Sequence, residues 1–111
     1  MIEDYSFGQV KIEGKVYKHD LIVFQDQVSS WWRVTGHQVV KKDIEALAEQ
    51  RPEIIIFGMG SSGLMKVTPE VKDYLHQKDI EFLSIPTKEA TLYFNQLLKE
   101  KKVAGAFHLT C

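Results

Sequence analysis

The chain is poor in cysteine and has no long apolar run. Cys111 is the single cysteine among 111 residues, so no disulfide can form within the chain. This usage fits a reducing compartment. The longest apolar runs are far shorter than the ~18 residues that a membrane span needs. The N-terminal stretch MIEDYSFGQV also lacks the apolar segment of a signal peptide. These absences predict a cytoplasmic protein that does not contact a membrane.

The chain also lacks an excess of charge of either sign. It has 14 basic and 15 acidic residues, spread along its length, and a net charge of −1. No charged block is long enough to form a nucleic-acid arm, so we expect no nucleic-acid partner. Hydrophobic residues make up 44% of a chain of ordinary domain size, which is enough for one core. We therefore expect a single domain over residues 1–111.

The first third of the chain has the pattern of short β-strands. Val10 and Ile12 alternate with polar neighbours, which is typical of a half-buried strand. Residues 21–24 and 28–34 predict two further strands, and Gly14 begins a tight turn between the first two. Short turns between neighbouring strands predict an antiparallel β-meander.

From residue 40 onwards, helical and strand patterns alternate. Helices are predicted at 40–50, from Thr68-Pro69 and from Pro86, and strands at 53–57, 80–85 and 103–110. Such alternation favours βαβ crossovers and parallel pairing. We predict an α/β fold: a three-layer single domain with a central mixed, largely parallel sheet flanked by helices, and the N-terminal antiparallel β-meander as an extra layer. The strand at 53–57 is expected at the centre of the sheet.

A glycine-rich loop follows that strand and is the first candidate site. Gly58-x-Gly60-x-x-Gly63 matches the dinucleotide fingerprint letter for letter. In a dinucleotide fold the helix begins at the glycines, whereas the next helix here begins at Thr68. The acid expected after the following strand is also missing, since that strand runs into Pro86. We therefore predict no dinucleotide and no other cofactor.

Two interpretations of this loop stay open. The glycines favour a permissive turn with close backbone approach. Alternatively, backbone N–H groups with Ser61 and Ser62 as extra donors could form a nest for an anion. A candidate ligand pocket at this position consists of Gly58, Gly60, Ser61, Ser62 and His108.

The histidines and the cysteine give weaker signals. His108-x-x-Cys111 would divide its two ligands between opposite faces of a strand, so we predict no metal site and no catalytic cysteine. His19-Asp20 and His37 could form an acid–base pair if the fold brought them together, but nothing in their spacing requires it. Polar residues at turns or strand ends are the simpler interpretation.

Trp31-Trp32-Arg33 is the most distinctive local sequence. On a regular strand only one of the two indoles can face the core. An exposed tryptophan beside an arginine has the composition of a protein-binding hot spot. The three residues are therefore candidate protein contacts, with packing inside the domain as the alternative.

Several short motifs occur in an order that resembles a known family. They are Tyr5-x-Phe7-Gly8, His19-Asp20, Trp31-Trp32-Arg33-x-x-Gly36-His37, Gly58-x-Gly60, Pro86-Thr87-x-Glu89-Ala90 and His108-x-Thr110-Cys111. The set resembles a small domain family of unknown function that includes the adipogenesis-associated domain protein of animals and, more distantly, a mitochondrial complex I assembly factor. The resemblance implies a three-layer fold with a β-meander beside it and no established enzyme activity. The better-studied relatives act as assembly or regulatory factors, which implies protein binding.

These observations lead to two functional hypotheses. The first is a non-enzymatic binding, assembly or regulatory factor that contacts another protein through Trp31, Trp32 and Arg33, with a homo-oligomer as a further possibility. The alternative is a small-molecule or anion-binding protein, either a simple binder or an enzyme, that uses the loop at residues 58–63. No catalytic residue is predicted.

Overall fold

The structure is a computed structural model that describes residues 1–110. Cys111, and with it every interpretation of its thiol, lies outside the described residues. In chain order the strands are β1 (Ile2–Ser6), β2 (Gln9–Ile12), β3 (Lys15–Tyr17), β4 (Leu21–Phe24), β5 (Gln27–Ser30), β6 (Gln38–Val39), β7 (Ile54–Met59), β8 (Lys66–Val67), β9 (Glu81–Ile85) and β10 (Val103–His108). The α-helices are α1 (Glu45–Glu49), α2 (Pro69–Gln77) and α3 (Thr87–Leu97), and a 3-10 turn covers Lys41–Asp43.

The predicted N-terminal β-meander is present as β1, β2 and β3, which form a small antiparallel sheet of their own. Val10 and Ile12 are buried between exposed neighbours, as their alternation indicates. The hairpin formed by β4 and β5 does not continue this meander. It joins the main sheet instead, because β10 offers β4 an antiparallel partner.

The main sheet has five strands in the order β5-β4-β10-β7-β9. Strand β7 pairs in parallel with both β10 and β9, whereas β4 pairs antiparallel with both β10 and β5. The predicted mixed α/β class is confirmed. The central strand is β10 and not β7 as predicted. The β4–β5 hairpin extends the sheet on the side of β10 that faces away from β7.

Helices cover both faces of this sheet. Ile55 and Phe57 pack in one core cluster with Val71 of α2 and with α1, whereas Ile56 packs in a second cluster with Phe94 of α3. Burial on both faces explains why the sequence of β7 is continuously apolar instead of alternating. No helix of residues 1–110 combines the length and the apolar character needed to cross a membrane.

The helix predicted at 40–50 is shorter and divided. The 3-10 turn over Lys41–Asp43 comes first, Ile44 breaks the helical geometry with a φ of −129°, and α1 then covers only five residues. The Asp43 carboxylate explains the break, because it accepts hydrogen bonds from the backbone N–H groups of Val40 and Val34. The side chain thereby holds the turn to the preceding loop instead of allowing one continuous helix.

Gly58 is the position at which α3 approaches β7 most closely. An alanine Cβ there would lie 2.9 Å from Thr87 Oγ1 and 3.0 Å from the Phe107 ring. We expect Gly58→Ala to lower the free energy of unfolding by about 1–3 kcal/mol, because the packed helix cannot retreat without strain. Urea denaturation measures the change. Gly36→Ala is the control, since nothing lies within 4 Å of its added Cβ. Equal stability of the Gly58→Ala and wild-type proteins would contradict this account.

Candidate functional site

The pairing of the main sheet brings three strand ends together. Asp20 lies just before β4, Arg33 follows β5, and His108 is the last residue of β10. Because β4 is antiparallel to both of its neighbours, its first residue lies beside the last residues of β5 and β10. The three charged or polar side chains therefore meet at one edge of the sheet.

The carboxylate of Asp20 is the centre of this group. Its Oδ2 accepts a hydrogen bond from Arg33 Nη1 at 2.7 Å and lies 2.7 Å from His108 Nδ1, and its Oδ1 accepts the backbone N–H of Leu109 at 2.8 Å. The Arg33 side chain is only 8% exposed and the Asp20 side chain 18%. A shielded ion pair with several hydrogen bonds fixes the geometry of its partners more firmly than a surface pair does.

The proton on His108 follows from this geometry. An ionised carboxylate only accepts hydrogen bonds, so Nδ1, which faces Asp20 Oδ2, carries the hydrogen. The guanidinium also carries only donors, which makes the 3.2 Å separation between Arg33 Nη2 and Nδ1 a close contact and not a hydrogen bond. In neutral His108 the basic nitrogen is then Nε2.

Electrostatic effects keep Asp20 ionised. Burial raises the pKa of its carboxyl group, but hydrogen bonds from His108, the backbone N–H of Leu109 and Arg33 lower it by more. The net pKa is below the ordinary value of an aspartate. The pKa of the Tyr5 hydroxyl is raised, first by burial and then by the negative charge of Asp20, and this hydroxyl donates to the carbonyl of Leu109 at 2.8 Å.

The Trp31 ring packs against the guanidinium of Arg33. The Arg33 guanidinium carbon lies 4.7 Å from the centre of the Trp31 ring, within the range of a cation–π contact. The indole N–H donates to the backbone carbonyl of Asp43, and the ring is 4% exposed. Arg33 Nε is buried and has no hydrogen-bond partner among the described residues. The segment after β5 is thus held by one indole and one ion pair.

The Trp32 side chain points to the solvent. It is 84% exposed, and it stands beside a cleft of about 280 Å³. The cleft is lined by His19, Asp20, Ser30, Trp31, Trp32, Arg33, Val34, Thr35 and Gly36. Strand β5 ends at Ser30, so the two tryptophans are not on a regular strand as predicted. The loop still places one indole in the core and the other outside.

The glycine loop is bonded to the protein itself. Gly58 is buried within β7, the backbone N–H of Gly60 donates to Thr87 Oγ1, and that of Ser61 donates to the carbonyl of Thr110. Gly60 has a φ of +96°, which favours glycine at that point of the turn. Since these N–H groups already have acceptors inside the protein, they are not available as a nest for an anion.

The predicted pocket residues do not share one cavity. Ser62 lines a different cleft from the one beside Trp32, whereas the His108 side chain turns toward Asp20. Thr87 connects the glycine loop with the end of β10, because its hydroxyl donates to the His108 carbonyl at 2.6 Å and accepts from the backbone N–H of Gly60. Sequence reasoning did not identify Asp20 or Thr87 as site residues. The motif His19-Asp20 indicated a polar position, but only the pairing of β4 with β10 brings His108 to Asp20.

An aspartate bound to Nδ1 of a histidine is an arrangement that some enzymes use to orient a base. Here the same carboxylate oxygen is also paired with Arg33, and His108 is not among the residues that line the cleft. Residues 1–110 contain no group of three histidine, cysteine or acidic side chains that could hold a metal ion. The hydrogen bonds of Asp20 fix the end of β10 and the loop that carries Trp32.

We expect Asp20→Asn to lower the free energy of unfolding by about 3 kcal/mol, because it leaves the shielded Arg33 cation without its counter-charge. Urea denaturation at neutral pH measures the change. Asp26→Asn is the matched control, since Asp26 is exposed in the β4–β5 turn and forms no ion pair within the described part of the chain. The double variant Asp20→Asn/Arg33→Met should lose less stability than the sum of the two single variants. Additive losses would show that the pair does not stabilise the fold.

The stabilisation by Asp20 should also depend on pH. Because folding lowers the pKa of this carboxyl group, its contribution is fully present above the ordinary carboxyl pKa and is lost as pH falls through the lowered value. The stability difference between wild type and Asp20→Asn should therefore stay constant down to about pH 5 and shrink toward about pH 2. Urea titrations across this interval measure it. A difference that grows on acidification would contradict the direction of the shift.

Solved structures of other proteins share this fold along the whole chain. A conserved hypothetical protein from Pyrococcus horikoshii OT3 is 27% identical, with a TM-score of 0.93 over 100% of this chain and 99% of the other. A protein called MT938 is 28% identical, with a TM-score of 0.82 over 100% and 98%. An outer membrane protein from Bartonella henselae is 22% identical, with a TM-score of 0.86 over 99% and 94%, and it shows likeness of fold alone.

A sequence model of one protein family matches residues 2–108. That match spans all three strands of the meander, the whole main sheet and each residue of the Asp20, Arg33 and His108 group. The chain therefore belongs to the DUF498/DUF598 family of proteins of unknown function.

Proposed function

We propose that this protein is a non-enzymatic binding or assembly-type factor that contacts another protein through the Trp32 surface, defined here as Trp32, Val34 and the adjoining cleft. The observation that carries the proposal is the 84% exposure of the Trp32 side chain on a loop whose neighbouring side chains are fixed. An exposed indole beside a shallow apolar cleft is a feature of protein-binding hot spots. Val34, which is 66% exposed, extends the apolar area.

The loop that carries Trp32 is ordered before any partner arrives. Trp31 is anchored through its indole N–H, Arg33 through Asp20, and the backbone N–H of Val34 donates to the Asp43 carboxylate at 3.0 Å. A contact residue that is already positioned loses little conformational entropy when it binds. This preorganisation supports a role in which the loop presents one large side chain to a partner.

The resemblance to the adipogenesis-associated protein and to the complex I assembly factor supports the same proposal, because assembly factors act through contacts with other proteins. The proposed partner is a different protein. A second copy of this chain is the alternative partner of the Trp32 surface to be tested. Sedimentation velocity of the purified protein separates the two cases, since self-association raises the sedimentation coefficient above that of a monomer.

We expect Trp32→Ala to abolish capture of the partner from an extract of the native cell, without a loss of stability. A hot-spot truncation costs at least about 2 kcal/mol, which corresponds to a roughly thirtyfold weaker complex. Quantitative mass spectrometry of the captured proteins measures recovery, and urea denaturation checks that the variant is as stable as the wild type.

Leu92→Ala is the matched control for this experiment. Leu92 is also a large exposed apolar residue, at 57%, but it lies on α3, away from the Trp32 surface. Proteins whose recovery falls with Trp32→Ala and not with Leu92→Ala are the specific partners. Identical sets of proteins captured by the wild type and by Trp32→Ala would contradict the proposal.

A further inference from the structure

A second cleft lies at the carboxyl ends of β7 and β9. These strands are adjacent and parallel, and after them the chain turns to opposite faces of the sheet. After β7 the chain continues to α2 on one face of the sheet, and after β9 it continues to α3 on the other. The divergence opens a crevice beyond the carboxyl ends of β7 and β9. Ligands of α/β proteins bind preferentially in crevices of this kind.

The crevice has the volume of a small-molecule site. Its volume is about 340 Å³, within the range of roughly 300–1,000 Å³ for such sites. Apolar side chains form part of the lining, and the polar part includes two lysines and two serines. The lining residues are Met59, Ser62, Gly63, Met65, Lys66, Val67, Lys72, Ser84, Ile85 and Pro86.

The charge in this crevice is unbalanced. The crevice is lined by two lysines and by no acidic residue, and neither lysine forms an ion pair among residues 1–110. The nearest acids on α2, Glu70 and Asp73, line a separate depression together with Lys41. Two lysines without an acid among the lining residues favour binding of an anion.

The hydroxyl groups of Ser62 and Ser84 add donors to the two cations. Within the described residues, neither hydroxyl has a hydrogen-bond partner in the protein, so both can turn toward a ligand. Recognition would come from side chains, because the backbone N–H groups of Gly60, Ser61 and Gly63 already have acceptors inside the protein. This differs from the backbone nest that the sequence suggested.

We propose that this crevice binds a small organic phosphate. The phosphoryl group lies between Lys66 and Lys72 and accepts hydrogen bonds from the two serines, while the organic part packs against Met59 and Ile85. A phosphate dianion matches two cations and offers more acceptor oxygens than a carboxylate. The volume leaves room for an organic group beyond the phosphate itself. This site is separate from the Trp32 surface and does not depend on it.

A matched series of probes tests the proposal by NMR titration of the ¹⁵N-labelled full chain at constant ionic strength. Butyl phosphate, butyrate and 1-butanol each contain four carbon atoms and differ in the head group, and inorganic phosphate contains no carbon. We expect saturable shifts of the amide signals of Ser62, Lys66 and Ser84 with butyl phosphate. Binding should be weaker with inorganic phosphate and with butyrate, and absent with 1-butanol.

Variants assign the binding to named residues. Lys66→Gln and Lys72→Gln should each weaken binding of butyl phosphate by about tenfold or more. Lys102→Gln is the control, because it removes an exposed lysine at the opposite end of the sheet, just before β10. Trp32→Ala should bind butyl phosphate like the wild type, so failure of one proposal does not imply failure of the other.

Three results would overturn the proposal. The first is the absence of saturable shifts with butyl phosphate. The second is equal weakening by Lys66→Gln and by Lys102→Gln, which would show attraction to general surface charge. The third is binding of butyrate as tight as that of butyl phosphate, which would show that the site selects a carboxylate or the alkyl group instead of a phosphate.

Discussion

The ion pair between Asp20 and Arg33 is the interaction on which the candidate site depends. One carboxylate accepts hydrogen bonds from the guanidinium, from His108 and from the backbone of Leu109, and so joins the start of β4, the loop after β5 and the end of β10. A shielded carboxylate with all these donors in place holds them in one arrangement, because any displacement would leave a buried charge unpaired.

Both proposed surfaces lie at the same edge of the main sheet. The Trp32 surface adjoins the carboxyl end of β10, and the lysine-lined crevice adjoins the carboxyl ends of β7 and β9. Thr87 is bonded to residues at the ends of both β7 and β10, through the N–H of Gly60 and the carbonyl of His108. The rest of the fold, with helices on both faces of the sheet, serves as a rigid support for this edge.

Several predictions that rested on local pattern were accurate. The burial of Val10 and Ile12 followed from alternation, and the continuous apolar sequence of β7 followed from its two covered faces. Thr68-Pro69 correctly indicated the start of α2. Predictions failed where a side chain forms hydrogen bonds with the backbone of a neighbouring segment. Strand β5 ends at Ser30 because the next residue, Trp31, directs its side chain to Asp43, and the predicted helix at 40–50 is divided by that same aspartate.

The sequence by itself determined the fold class, the existence of most elements and the presence of one unusual tryptophan pair, because these depend on periodicity and on residues close together in the chain. Only the tertiary structure decided which indole is exposed, and only it brought Asp20 within 2.7 Å of His108, a residue 88 positions away. That contact exists because β10 pairs antiparallel with β4. Strand pairing over such a distance depends on the packing of the whole sheet, and no local pattern encodes it.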